Sequence, residues 1–281
     1  MGFFDILNPD ERRWRNEARQ EAKEYRADAR EYMSDAEDYK SDYNELKLDT
    51  NRLVNELSGT VRKHNEYKVS IIKELGSDVT NTIDNFKRFN INSRVIKVPK
   101  IDSNSMPNIP TFTANNFFMS MPGGNFNPLK VIFNTFSDPY KDRDEAMKQK
   151  DKALEYLWEV KSALANLRDT YESLNNTRRY INDERQMLSQ LMDKVRSIMQ
   201  QLNNAMNQQT HTETSAKHMN AVCKIAEQIK NSLETQLINK SGNIDNNYKQ
   251  YSSRLKQIND SIPARPVISE SNSWLDVIIN Y

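Results

Sequence analysis

Apolar residues recur at alternating steps of four and three along two long stretches of this chain. This spacing is the heptad seam of an α-helical coiled coil. In the first stretch the seam includes Ala18, Ala22, Tyr25, Ala29, Tyr32 and Ala36, and in the second it includes Leu157, Val160, Leu164, Leu167, Tyr171 and Leu174. The pattern therefore predicts two long amphipathic helices.

Each predicted helix begins at a proline that follows a capping residue. The pairs are Asn8-Pro9 and Asp138-Pro139, and acidic residues follow both, where they meet the positive end of the helix dipole. Gly76 is expected to end the first helix. Helix one is thus predicted over residues 9–75 and helix two over residues 139–208.

A third helix is predicted over residues 213–261. Its seam runs from Met219 to Ile258, and it either continues through Ser241-Gly242-Asn243 or breaks there. Pro263 and Pro266 end it. Residues 262–281 form a tail with an apolar C-terminal segment.

Two helices of similar length joined by an insert favour an antiparallel hairpin. In that register, residues whose numbers sum to about 215 face each other, because both helices share one rise per residue. Ala22 then faces Met192, while Arg178 and Arg185 are buried polar seam residues opposite the acidic stretch 28–38. The expected fold is mainly all-α: an elongated antiparallel coiled-coil hairpin with a third long helix and a small irregular, β-containing head at the tip.

The predicted head, residues 76–138, differs in composition from the helices. It holds eight of the ten phenylalanines and none of the twelve tyrosines. Residues 94–101 and 129–133 resemble short strands of a β-hairpin. The aromatic residues either form a small core or present a binding surface. The candidate contact residues are Phe112, Phe117, Phe118, Met119, Met121 and Phe126.

Both ends of the chain carry apolar residues. Residues 1–8 form an apolar segment that precedes Trp14 and several arginines, an order that suits an anionic membrane surface. The alternative is a hydrophobic staple, in which Leu7 packs on the first turns of helix one. The candidate terminal anchor consists of Phe3, Phe4, Ile6, Leu7, Trp274 and Ile278.

Composition agrees with narrow helical seams. Hydrophobic residues make up 37% and charged residues 28%, which is too few apolar positions for a thick core. The net charge of +1 and the interleaved signs argue against a nucleic-acid partner. The single cysteine, Cys223, excludes an intrachain disulfide. Without a spanning segment or a secretion signal, we expect a cytoplasmic protein, or one exported without a cleaved signal peptide, with membrane-peripheral association as an alternative.

The sequence carries no motif for catalysis. Its three histidines lack a zinc-binding pattern, and no glycine-rich phosphate loop is present. We therefore expect no enzyme activity, no cofactor, no metal and no small-molecule substrate. The expected function is a coiled-coil interaction or scaffold protein that binds partner proteins or forms homo-oligomers, and the alternative is a membrane-active helical protein.

Two families share this predicted plan. Long helices around a head with a β-tongue (94–101 and 129–133) resemble the α-helical pore-forming toxins of the cytolysin A and haemolysin BL type. The short amphipathic start before a charged hairpin is similar to membrane-remodelling proteins of the phage-shock and ESCRT-III type. Both resemblances imply activity at a membrane, and neither assigns a role to a particular residue.

Overall fold

A computed structural model describes residues 9–88, 109–110, 112, 126, 135–207, 212–268 and 272–279. The described chain is mainly helical, which confirms the predicted fold class. The helices are α1 (Pro9–Arg88), α2 (Pro139–Asn207), α3 (Thr212–Glu234), α4 (Asn246–Ser261) and α5 (Ser273–Ile279). The predicted β-hairpin at 94–101 and 129–133 lies outside the described residues.

The chain divides into two compact units. Unit 1 comprises residues 1–52 and 121–172, and unit 2 comprises residues 53–120 and 173–281. Both long helices contribute a part to each unit, whereas α3, α4 and α5 belong to unit 2 alone.

Helix α1 continues beyond the predicted end at residue 75. Gly76 lies within it, and the helix extends to Arg88, so residues 76–88 do not belong to the predicted head. The reason is packing: Leu75 and Val79 are both buried, so the seam continues past the glycine. Thr82 then donates a hydrogen bond to Asn203 of α2 at 3.1 Å. Tertiary contacts of this kind outweigh the low helix propensity of one glycine.

In unit 1 the two long helices run in the same direction. The Lys150 amine of α2 pairs with Asp28 of α1 at 2.9 Å, and further along both helices Arg168 lies 3.9 Å from Asp42. Nearer the start of both helices, Arg26 of α1 forms a bidentate ion pair with Asp142 of α2, and the shorter of its two hydrogen bonds is 2.6 Å. Residue numbers on both helices rise together, so the pairing is parallel.

In unit 2 the ion pairs between α1 and α2 also show that the two helices run in the same direction. Arg178 pairs with Glu56 at 2.9 Å, and Arg196 pairs with Glu74 at 2.6 Å, each partner lying 122 positions away in sequence. Behind them, Ile71, Leu75 and Val79 share one core with residues between Leu188 and Leu202. The α1 and α2 segments of unit 2 are therefore also parallel.

The expected antiparallel register is thus wrong. Heptad spacing is the same for either direction, and the charges flanking the seam decide between them. On one flank α1 supplies acids and α2 supplies bases, whereas on the other Arg26 and Lys68 of α1 meet Asp142 and Glu184 of α2, each pair 116 positions apart. Because α1 and α2 are parallel in both units, they do not form the two arms of a hairpin, and the predicted head is not placed at a hairpin tip.

Carbodiimide coupling tests this direction without any mutation. The amine of Lys150 and the carboxylate of Asp28 are 2.9 Å apart, so a zero-length reagent is expected to join them. Mass spectrometry of tryptic peptides should recover the Asp28–Lys150 link at low reagent concentration. The antiparallel register would place Lys150 near residue 65. Coupling of Lys150 to carboxylates there would contradict the parallel direction and support the antiparallel hairpin.

The predicted third helix is two helices in the structure. Between α3 and α4, Ile238 and Ile244 form an isolated antiparallel bridge around a turn at Asn239, whose side chain accepts hydrogen bonds from two backbone amides of that turn. Gly242 has a φ of 79°, a conformation that favours glycine. Asp245 then caps α4 by accepting a hydrogen bond from Asn247 N.

The C-terminal helices complete the core of unit 2. Buried apolar residues of α3, α4 and α5 join those of α1 and α2 in one cluster that includes Val222, Ile229, Leu255 and Leu275. Unit 1, in contrast, holds smaller clusters between two helices, such as Ala36 with Tyr156 and Leu157. Most of the fold's apolar burial among the described residues is therefore in unit 2.

Candidate functional site

A cluster of polar side chains lies inside the helical core of unit 2. His64 and Lys68 come from α1, Glu184 from α2, Ser232 from α3 and Tyr248 from α4, so four helices each contribute to it. All five residues are buried, and Lys68 and Glu184 have at most 4% of their surface exposed. We call these five residues the polar node.

Glu184 is the acceptor at the centre of the polar node. It receives hydrogen bonds from Tyr248 Oη at 2.6 Å, from His64 Nε2 at 3.0 Å and from Lys68 Nζ at 3.2 Å. Lys68 also donates to Ser232 Oγ at 3.0 Å and to the Tyr248 hydroxyl. The lysine thus has a partner for each of its three N–H groups, and one buried cation compensates one buried anion.

The protonation states follow from burial and from these contacts. Burial by itself would raise the pKa of Glu184, but the charge of Lys68 and the hydrogen bond from His64 outweigh it and hold the pKa at about 2. Burial lowers the pKa of His64. A neutral His64 that donates from Nε2 has an unprotonated Nδ1, and this buried atom has no hydrogen-bond partner.

The polar node resembles catalytic clusters in composition but not in access. A lysine beside a serine hydroxyl can act as a base for a nucleophile. Here, however, Lys68 is 0% and Ser232 is 1% exposed, so a substrate cannot reach either group without opening the bundle. The arrangement favours a structural role, in which the polar contacts fix the register of four helices.

The polar node was not predicted from the sequence, although polar residues at inward helix positions indicate it. His64 and Lys68 occupy inward positions between Val61 and Ile71, at the same steps of four and three as the seam. Polar residues at such positions on two helices indicate a buried pair. The assumed register placed the wrong residues opposite each other, so Glu184 was not recognised as a partner of Lys68.

A second feature is an exposed apolar row on α2 in unit 1. Tyr140, Met147 and Trp158 are 37%, 50% and 65% exposed. At 3.6 residues per turn, their positions fall within about 20° of one line along the helix. The buried residues Ala146, Ala153 and Val160 mark the side of α2 that packs inward, and this row lies on the opposite side. We call Tyr140, Met147 and Trp158 the outer stripe.

The residues predicted to form the head contact are partly outside the described chain. Phe112 is half-buried and lines, with Ile109, Gly59 and Val69, a cavity of about 760 Å³ beside α1 in unit 2. Phe126 packs edge-on against Tyr43 in unit 1, with ring centroids 5.0 Å apart. These two phenylalanines lie against the helices and are not at an exposed tip. Phe117, Phe118, Met119 and Met121 lie outside the described residues.

The other predicted site residues are corrected or not described. Trp274 and Ile278 are 5% and 1% exposed in the core of unit 2, so they cannot serve as an exposed anchor. Arg178 is half-exposed and pairs with Glu56, while Arg185 is exposed beside the Tyr67 ring, so neither is a buried seam residue. The anchor residues Phe3, Phe4, Ile6 and Leu7 lie outside the described chain.

A membrane span and a metal site each have requirements that the described residues can meet only through their own geometry and composition. No helix there is both long and apolar enough to cross a membrane. Within the same residues, no group of three or more histidine, cysteine or acidic side chains is arranged to hold a metal ion. Comparison with protein-family models, curated proteins and solved structures finds no match.

Proposed function

We propose that this chain is a non-enzymatic interaction protein in which the outer stripe of unit 1 docks an amphipathic helix of a partner protein. The observation that carries the proposal is the alignment of Tyr140, Met147 and Trp158 on the side of α2 turned away from its buried face. Tyrosine, tryptophan and methionine are enriched in protein interfaces relative to other surfaces.

The two units differ in how many large apolar side chains they expose. In the described part of the chain, six of the seven large apolar side chains that are exposed belong to unit 1, and only Val267 belongs to unit 2. In the described residues, unit 2 has three further helices that cover its seam, whereas unit 1 consists of two long helices. This division supports unit 1 as the part of the chain that docks a partner.

The spacing of the outer stripe favours a helix as its occupant. Met147 follows Tyr140 by one heptad, and Leu154, half-buried, follows Met147 by another before Trp158. An amphipathic helix presents apolar residues at the same steps, so its side chains can pack between those of the stripe. Exposed residues of both signs, including Lys148 and Glu155, flank the stripe and suit a polar rim.

Binding to a membrane surface has less support than docking of a partner helix. The exposed Trp14 lies among arginines near the start of α1, as the membrane-anchor hypothesis requires. However, Arg13 pairs with Glu17 at 2.9 Å and Arg15 pairs with Glu11 at 3.1 Å, so nearby acids offset part of the positive charge. Binding to anionic lipid depends on uncompensated basic residues.

Site-specific photocrosslinking in cells tests the proposed docking surface. A benzophenone amino acid replaces Trp158 or Met147, and both positions are expected to capture the same protein through a segment with heptad spacing. Leu48 is the matched control, because it is 60% exposed on α1 in unit 1 but lies outside the stripe. The captured protein, once purified, should bind the Trp158→Ala variant at least about tenfold more weakly than the parent, since a tryptophan that acts as an interface hot spot contributes about 1.4 kcal/mol or more.

Each outcome of this experiment has a defined meaning. Equal capture at Leu48, or unchanged affinity of the Trp158→Ala variant, would contradict docking on the stripe. Capture of lipid alone at both stripe positions would favour the membrane alternative. Capture of a second copy of this chain would identify the partner helix as its own.

A further inference from the structure

His218 of α3 is buried in a hydrogen-bonding arrangement that specifies its neutral form. It is 0% exposed, and its Nδ1 lies 2.7 Å from the carbonyl oxygen of Thr214. A carbonyl oxygen can only accept, so Nδ1 carries the proton and Nε2 of the neutral ring is an acceptor. Asn272 Nδ2, 3.1 Å away, is the group that donates to it.

Asn272 fixes the start of the C-terminal segment, residues 272–279. Its Nδ2 also donates to the carbonyl oxygen of Val267 at 2.6 Å. Trp274 follows, with its ring edge-on to His218 at a centroid distance of 5.2 Å. Trp274, Leu275 and Ile278 are buried in the unit 2 core, so this segment covers apolar residues of that core.

A second proton on His218 does not fit this arrangement. The new Nε2–H would point at the amide nitrogen of Asn272, which is also a donor. Rotating the Asn272 amide would present its oxygen to His218 but would place that oxygen against the Val267 carbonyl, so one repulsive contact replaces another. Burial lowers the pKa of His218, and the hydrogen bond to the Thr214 carbonyl opposes this in part.

We propose that His218 is an acid-operated latch, whose protonation releases residues 272–279 from α3 and uncovers the apolar surface beneath Trp274, Leu275 and Ile278. The groups that face the ring are the Thr214 carbonyl on α3 and Asn272 and Trp274 on the C-terminal segment. Among the described residues, none of the groups in contact with the ring is an anion that would stabilise an imidazolium.

The direction of the pH dependence follows from linkage. A released His218 titrates near the ordinary value of about 6.5, and the docked residue titrates lower. The docking constant is therefore at its highest well above pH 6.5. Below it, the docking constant falls by about tenfold per pH unit until the pKa of the docked residue is reached.

Trp274 provides the signal for the test. In a full-length Trp14→Phe/Trp158→Phe variant it is the only tryptophan, so its emission reports the segment directly. Between pH 7.5 and 5 we expect a red shift of this emission with helix circular dichroism nearly unchanged. The Asn272→Asp variant should reverse the dependence and dock better at pH 5.5 than at pH 8, because its carboxylate accepts from the Nε2–H of the imidazolium but faces the lone pair of Nε2 when the ring is neutral.

Three results would overturn the proposal. They are an emission of Trp274 that is equal at both pH values, the same transition in a His218→Gln variant, and a red shift that accompanies loss of the whole helical signal. If His218→Gln does not fold, an NMR titration of the parent decides instead. The latch requires a pKa of docked His218 below that of a histidine in an unstructured peptide.

Discussion

Replacing Lys68 by methionine is expected to destabilise unit 2 by about 3–5 kcal/mol, because it leaves the Glu184 carboxylate buried without its cation. Lys68 Nζ lies 3.2 Å from Glu184 Oε1, and both residues are fully enclosed. The measurement is urea unfolding followed by Trp274 emission in the Trp14→Phe/Trp158→Phe background, since Trp274 is buried in unit 2.

Two control variants distinguish the effect of leaving a buried charge without its partner from the effect of losing any charge. The double variant Lys68→Met/Glu184→Met removes both charges together and should recover most of the lost free energy of unfolding. Arg196→Met breaks a shorter ion pair with Glu74, at 2.6 Å, on the surface, and its effect should stay within about 1 kcal/mol. Equal losses in Lys68→Met and Arg196→Met would refute the structural role of the polar node.

Truncation of Leu164 to alanine in unit 1 is expected to cost about 2–5 kcal/mol, because it leaves a cavity beside Tyr43 between two helices. Leu164 is 2% exposed, whereas Leu48, in the same unit, is 60% exposed. The matched change Leu48→Ala should therefore alter the free energy of unfolding by less than about 0.5 kcal/mol. Chemical denaturation followed by circular dichroism gives the two values.

Amide hydrogen exchange shows whether the loss of stability in Leu164→Ala lies in unit 1. Peptides from residues 139–172 should exchange faster in Leu164→Ala than in Leu48→Ala, while those from α3 should be unchanged in both. Equal exchange in the two variants would mean that Leu164 is not part of a packed core, contrary to its burial.

Much of the helical content was predictable because it depends on local spacing. The seam residues around Ala29 and Leu157 are buried in the structure, and burial of a residue every three or four positions is a property of the helix itself. The end of α1 and the break between α3 and α4 were harder to place. Gly76 lies within α1 because packing continues past it, whereas α3 already ends at Glu234 and Gly242 lies in the turn that follows.

The candidate site was less predictable than the fold. Trp274 and Ile278 read as an anchor because an apolar chain end looks the same whether it is exposed or packed against a core. Met147 and Trp158 were overlooked because a helix with apolar residues on two sides has no single seam. In both cases the outcome depends on which other segments cover the residue, and local spacing does not contain that information.

The sequence by itself determined that the chain forms long helices, because the periodicity of apolar residues and the two Asn/Asp-Pro starts act within a few turns. Only the tertiary structure decided that the long helices are parallel, since a heptad seam has no direction. The decision comes from contacts between residues more than 100 positions apart, such as Glu56 with Arg178 on the surface and Lys68 with Glu184 in the core. Those pairs bring opposite charges together in the parallel direction, and no local pattern reports that.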